Sequence, residues 1–163
     1  MKKLSSLFTI SLFSLGMLAC VSANAQEYSA PTTSACHIRP YEMLNSFSIS
    51  ASGTNTGNIA VASLIPVGAF SQVGTATGTS ATQSGNTITG KWSVTITQND
   101  TSGKLSTYTK AGSYTLDATT CTGDFSWDGV GVVFRATFVK DATEFKSIAS
   151  LPGVIIAYTG TKI

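Results

Sequence analysis

The segment KWSVTITQ, Lys91 to Gln98, decides the fold class of this chain. Its apolar residues, Trp92, Val94 and Ile96, occupy every second position, and Ser or Thr stands between them. A period of two residues places the two sets on opposite faces of an extended strand. The segment therefore predicts a β-strand with one buried face, and it leads into the turn-forming sequence NDTSGK at residues 99–104.

The same alternation continues in both directions along the chain. It recurs in FSISASG (47–53) upstream and in LSTYTKAGSYTL (105–116) downstream, so the latter predicts a hairpin with the first segment. Residues 58–86 are interpreted as two strands broken near Pro66. Four further strands are predicted from CTGDFSW, VGVVFRATFVK, TEFKSIA and VIIAYTGT, which are separated by Asp128-Gly129, Asp141-Ala142 and Leu151-Pro152-Gly153.

About eight strands with short connections predict an all-β fold built from one antiparallel up-and-down sheet. A closed β-barrel is preferred, because closure removes exposed edges from a chain with few charges to protect them. A β-sandwich is the alternative, although no long crossover connection of the kind a Greek key requires is visible.

The N-terminus has the organisation of a secretory signal peptide. Lys2 and Lys3 precede an apolar run, and the small-residue triplet 23–25 follows it. The predicted organisation is a signal peptide at 1–25, an N-terminal arm at 26–43 and a β-barrel domain at 44–163. The chain is thus expected in the periplasm or outside the cell. The alternative is a lipoprotein anchored to a membrane through Cys20 in the sequence MLAC.

Charge and length exclude several classes of protein. Removing residues 1–25 from 163 leaves 138, enough for one domain. The two lysines of the signal peptide account for the basic excess, and the remaining basic residues are scattered singly. A nucleic-acid partner is therefore not expected, because such binding requires clustered Lys and Arg.

Cys36 and Cys121 are the cysteines that remain after cleavage, and they predict a disulfide in an oxidising compartment. Metal binding or nucleophilic chemistry with the neighbouring His37 is the weaker alternative, since His37 is the single histidine and adjacent residues on an extended chain point apart. No metal and no cofactor are expected.

Aromatic side chains on the alternating faces are the candidate ligand-binding residues. They either line an apolar cavity or fill a dry core, because an eight-stranded barrel has room for side chains or one small ligand. The set comprises Trp92, Tyr108, Tyr114, Trp127, Phe134, Phe138 and Tyr158.

Arg135 interrupts an apolar strand and is added to this set. Two registers are open for it. In the favoured register it lies outside the barrel beside Val133 and Thr137. In the other it is buried, where it binds an anionic group or pairs with Glu144.

Four segments carry a family resemblance: PVGAF (66–70), GSYTLDATTCTGDFSW (112–127), VVFRATFVKDATEFKSI (132–148) and PGVIIAYTGTK (152–162). Their order resembles a group of small exported bacterial proteins. The strand pattern of that group is similar to the eight-stranded, lipocalin-shaped barrels of allene oxide cyclase and dirigent proteins. The resemblance implies a barrel that holds an apolar ligand, and it carries over no catalytic residue.

These observations predict an exported barrel that binds or shapes an apolar small molecule. The main alternative is a structural or adhesive module of the cell surface, and a third is an outer-membrane barrel. The chain shows no Ser-His-Asp set, phosphate loop or metal signature. If it has an activity, confinement of a substrate, as in a cyclase or isomerase, is the expected kind.

Overall fold

Eight strands form one closed antiparallel barrel in the computed structural model, which describes residues 36–62, 64–139 and 141–163, with the backbone alone at Ser150. Each strand pairs with its neighbours in sequence, and the last pairs with the first. The strands are β1 (Ser46–Asn55), β2 (Gly68–Ser84), β3 (Thr87–Asn99), β4 (Leu105–Asp117), β5 (Thr122–Trp127), β6 (Val133–Val139), β7 (Glu144–Leu151) and β8 (Val154–Lys162). The predicted up-and-down barrel is confirmed, and the sandwich is excluded. The predicted signal peptide and Cys20 lie outside the described residues.

The alternation of the sequence sets the inner and outer faces. In β3, Val94 and Ile96 are buried and Thr95 between them is exposed, as the period of two predicts. In β1, Phe47, Ile49 and Ala51 point inward in the same way. The core is the barrel interior, because each strand contributes every second side chain to it.

The connection between β1 and β2 differs from the prediction. Residues 56–62 and 64–67 form no strand; they contain a 3₁₀ helix, Ile59–Val61, and β2 is a single strand. Asparagine side chains favour this local structure over a strand: Asn55 Oδ1 accepts from the backbone N–H groups of residues 57 and 58, and Asn58 Oδ1 accepts from Ala60 N. The strand predicted before Pro66 is therefore wrong, whereas the strand predicted after it is present as β2.

This connection covers one end of the barrel. Val61, Leu64 and Ile65 are buried, and Asn55 Nδ2 donates to the Ile65 carbonyl at 2.8 Å. Asn55 is itself fully buried, so its amide holds the connection against the barrel from within. We refer to residues 56–62 and 64–67 as the plug.

The arm crosses the opposite end of the barrel. In the description of the structure, the arm is residues 36–45. The arm contains a 3₁₀ helix, Pro40–Leu44. Ile38 is fully buried and its N–H donates to the Ala118 carbonyl at 3.0 Å. Gly78 N donates to the Asn45 carbonyl, and a Cβ at Gly78 would overlap the Met43 carbonyl, so the close approach of arm and β2 requires glycine there.

A disulfide joins Cys36 to Cys121, as predicted. Cys121 lies in the turn between β4 and β5, where its backbone has a φ of 55°. The Asp117 carboxylate fixes this turn by accepting from the N–H groups of Thr119 and Thr120 and from the Thr119 hydroxyl. These hydrogen bonds lower the pKa of Asp117 to about 2. The disulfide thus anchors the arm to a well-defined turn at the same end of the barrel.

Candidate functional site

The barrel contains an apolar cavity of about 70 Å³. Met43 from the arm contacts it at one end, and Ile49, Val94 and Ile96 contribute aliphatic wall. Most of the wall is aromatic and is supplied by Phe47, Trp92, Tyr114, Phe125, Trp127, Phe134, Phe138, Phe145 and Tyr158. None of the lining side chains carries a charge. The cavity is therefore suited to an uncharged, apolar occupant.

The aromatic rings of the wall hold one another in place. Phe47, Phe138 and Phe145 form a triangle with centroid distances of 5.5 to 6.1 Å. Tyr114 and Phe125 are stacked at 5.2 Å. Such contacts fix ring orientation in addition to burying apolar area, so the cavity has a defined shape.

Trp92 owes its position in the wall to a glycine on the next strand. Gly112 pairs with Trp92, and a Cβ at Gly112 would lie 2.6 Å from the indole nitrogen. The missing side chain lets the indole lie flat against β4, where its N–H donates to the Ser113 carbonyl at 3.2 Å. Both the ring and the polar edge of Trp92 are thereby accommodated.

Six of the eight predicted site residues line the cavity: Trp92, Tyr114, Trp127, Phe134, Phe138 and Tyr158. The alternation of the strands found them, because all six occupy inward positions. That they bind a ligand stays a prediction. The other two, Tyr108 and Arg135, lie elsewhere.

Arg135 lies on the outer face, with 69% of its side chain exposed. This is the favoured register of the sequence prediction, and it corrects the inclusion of Arg135 among ligand-binding residues. The guanidinium pairs with Asp124 on the neighbouring strand, with Nη2 at 2.9 Å from Oδ2, and the predicted alternative partner Glu144 is not the one seen. Phe134 and Ala136 take the inward positions beside it, since they bury apolar surface at no electrostatic cost.

Tyr108 belongs to a buried polar cluster between the cavity and the plug. Its hydroxyl donates to the Leu64 carbonyl at 3.1 Å and accepts from Gln72 Nε2 at 3.1 Å. Gln72 Nε2 also donates to Gln98 Oε1 at 3.0 Å, and the Tyr158 hydroxyl donates to Gln72 Oε1. Gln72 thus connects three side chains from three different strands.

Sequence reasoning missed Gln72 and Gln98. Both stand at inward positions of alternating strands, Gln72 after Phe70 and Gln98 after Ile96. A polar side chain at an inward position was the available signal, because a buried amide requires partners.

The Trp127 indole N–H has no acceptor among the described residues. Trp127 is 2% exposed and its nitrogen is buried. Its ring packs against Phe134 at 5.0 Å and edge-on against Tyr108 at 6.3 Å. The cavity wall therefore contains one buried donor that the rest of the described protein leaves unsatisfied.

Burial raises the pKa of the interior tyrosines: that of Tyr114 to about 12, and those of Tyr108 and Tyr158 well above the ordinary value. A tyrosine whose pKa is higher in the folded than in the unfolded chain stabilises the fold fully when the pH is below the pKa of the unfolded chain, near 10. This contribution is lost as the pH rises toward the pKa of the folded chain. We expect the free energy of unfolding to fall between about pH 10 and pH 12. Denaturant titrations at stepped pH will measure it.

Tyr114→Phe is the control for that titration. Phenylalanine keeps the ring and removes one titrating group, so the variant should lose less stability over the same pH interval than the wild type. A pH dependence identical in the two proteins would contradict the role of Tyr114.

Metal centres and membrane helices receive no support from the part of the chain that the structure describes. No three His, Cys, Asp or Glu side chains converge there, and His37 is exposed beside a disulfide-bonded cysteine. No helix within the described ranges is long and apolar enough to cross a membrane.

No protein-family model matches the chain, and no curated protein matches it. The resemblance to allene oxide cyclase and dirigent barrels therefore stays a prediction. The barrel assignment rests on the strand order and pairing alone.

Proposed function

We propose that this protein is an exported β-barrel that binds an apolar small molecule in its interior. The observation that carries the proposal is the uncharged, aromatic-lined cavity between the arm and the polar cluster. Such a cavity favours transfer of an apolar group from water, and few polar groups compete for the space. The disulfide is compatible with an oxidising compartment, which supports export.

The cavity volume limits what part of a ligand it holds. A volume of about 70 Å³ is smaller than the roughly 300 to 1,000 Å³ of sites that enclose a drug-sized molecule. The part inside the barrel is therefore a single ring or a short alkyl segment. The strip formed by Ala76, Thr77 and Gly78 is only half-buried and also lines the cavity, which gives a larger molecule a place to extend toward the arm.

The test uses methylenecyclopentane, an uncharged hydrocarbon of one ring. We expect saturable binding to the intact protein with a dissociation constant of about 1 mM, measured by ligand-observed NMR. Ala136→Leu places a larger side chain in the cavity wall and should abolish this binding, because Ala136 is buried and lines the cavity.

Ala157→Leu is the matched control, since Ala157 is exposed on β8 and should leave binding unchanged. Absence of saturable binding to the wild type, or equal binding to the two leucine variants, would overturn the proposal.

A second function, a structural or adhesive module, is favoured by the outer surface of β1 and β2. Neither strand carries a charged side chain, and their outward positions are mostly Ser and Thr. Hydroxyls on adjacent strands bond to one another, as Ser46 does to Thr77 at 2.8 Å. Failure of the probe to bind, together with concentration-dependent self-association in sedimentation, would favour this second function over the first.

A further inference from the structure

The unsatisfied indole N–H of Trp127 restricts the chemistry of the ligand. Trp127 lines the cavity and is 2% exposed, and Nε1 is the one buried side-chain nitrogen or oxygen in the described chain that lacks a partner. A buried donor without an acceptor is costly, and native proteins rarely keep one unless something else satisfies it.

Three other polar groups of the wall are already engaged. The Trp92 N–H donates to the Ser113 carbonyl, and the Tyr114 hydroxyl donates to the Ser80 carbonyl at 2.9 Å. The Tyr158 hydroxyl donates to Gln72. Trp127 Nε1 is therefore the fully buried donor of the wall that stays unused. The Ser147 hydroxyl also lines the cavity and has no hydrogen bond within the described residues. The indole N–H, unlike that hydroxyl, cannot rotate toward another acceptor.

The charge of the wall decides which acceptor fits. No basic side chain lines the cavity, and Arg135 and Lys91 are directed to exposed partners, Asp124 and Asp128. An anionic acceptor such as a carboxylate would be buried without a counter-charge, at high desolvation cost. A neutral oxygen accepts one N–H without that cost.

We propose that the ligand is a neutral apolar molecule with one hydrogen-bond acceptor, such as a ketone, aldehyde or ether oxygen, bound to Trp127 Nε1. This inference rests on the proposed function. The aromatic wall then contributes affinity for the hydrocarbon part of the ligand. The Trp127 N–H makes the site selective for oxygenated ligands over plain hydrocarbons.

The test compares two probes of one shape, cyclopentanone and methylenecyclopentane, which differ by C=O against C=CH₂. Trp127→Phe keeps an aromatic ring and removes the donor. We expect it to weaken cyclopentanone binding about fivefold and to change methylenecyclopentane binding less than about twofold. Trp92→Phe is the matched control, since that N–H is bonded to the protein backbone, and it should change both affinities by the same factor.

The wild-type protein gives a second readout that does not depend on the variant folding. Its spectrum contains two indole N–H resonances, from Trp92 and Trp127. Cyclopentanone should move the Trp127 resonance downfield, and methylenecyclopentane should not. An unchanged probe preference in Trp127→Phe, or a Trp127 resonance that both probes affect alike, would overturn the inference while leaving hydrocarbon binding intact. Failure of both probes to bind the wild type would instead overturn the proposed function.

Discussion

Removing the Cys36–Cys121 disulfide is expected to lower the free energy of unfolding by about 4.5 kcal/mol in the chain-entropy model. The expectation follows from the sequence separation of 85 between the two cysteines. The loop that the bond closes contains β1 to β4 and the three pairings among them. Without the bond, the unfolded chain gains conformational freedom that the folded chain does not. Equilibrium denaturant unfolding of Cys36→Ala/Cys121→Ala measures the effect.

The same change acts locally on the arm. Apart from the disulfide, two backbone hydrogen bonds join the described arm to the rest of the fold, from Ile38 N to Ala118 O and from Gly78 N to Asn45 O. Met43, which the arm places against the cavity, depends on these contacts. Release of the arm should speed hydrogen exchange at the Ile38 and Gly78 amides, which bond across the arm contact, more than at amides bonded between two barrel strands.

Single variants are the controls, because either cysteine alone breaks the bond. Cys36→Ala should be as destabilising as the double variant to within about 1 kcal/mol. A double variant that unfolds with nearly the wild-type free energy would contradict the entropic role of the disulfide.

The barrel was predictable because its information is local and repeated. An inward residue at every second position, as in Val94 and Ile96, fixes the face of a strand, and turn residues such as Asp128-Gly129 fix where it ends. Because the connections are short, each strand pairs with the next one in the sequence. The disulfide followed from a cysteine pair in a chain with the sequence features of an exported protein.

The plug and the polar cluster were not predictable by the same reasoning. The apolar residues Val61, Leu64 and Ile65 have no period, and asparagine side chains and burial against the barrel end decide their structure. Tyr108 shares the inward period of the cavity residues, but its hydroxyl binds the plug at Leu64. The periodicity identifies the face of a residue and does not reveal the depth at which a cavity ends.

The polar cluster is expected to be the most sensitive part of the interior to mutation. Gln72→Leu keeps similar size but leaves the Tyr158 hydroxyl and Gln98 Oε1 without the partners that Gln72 provides. Each orphaned buried group costs roughly 1 to 3 kcal/mol, so we expect a loss of about 3 kcal/mol in the free energy of unfolding. Gln83→Leu on the same strand is the matched control, because Gln83 is exposed and should change stability by less than about 0.5 kcal/mol.

A double-mutant cycle separates the orphaned groups from the loss of Gln72 itself. Tyr158→Phe alone removes one hydrogen bond, whereas in the Gln72→Leu background it removes a hydroxyl that already lacks its acceptor. The double variant should therefore be more stable than the sum of the single effects predicts, by about 1 kcal/mol or more. Additive effects, or equal losses for the leucine substitutions at positions 72 and 83, would show that the cluster contributes no more than ordinary packing. Because Tyr158 also lines the cavity, a positive result would show that Gln72 stabilises both the plug end and a side chain of the cavity wall.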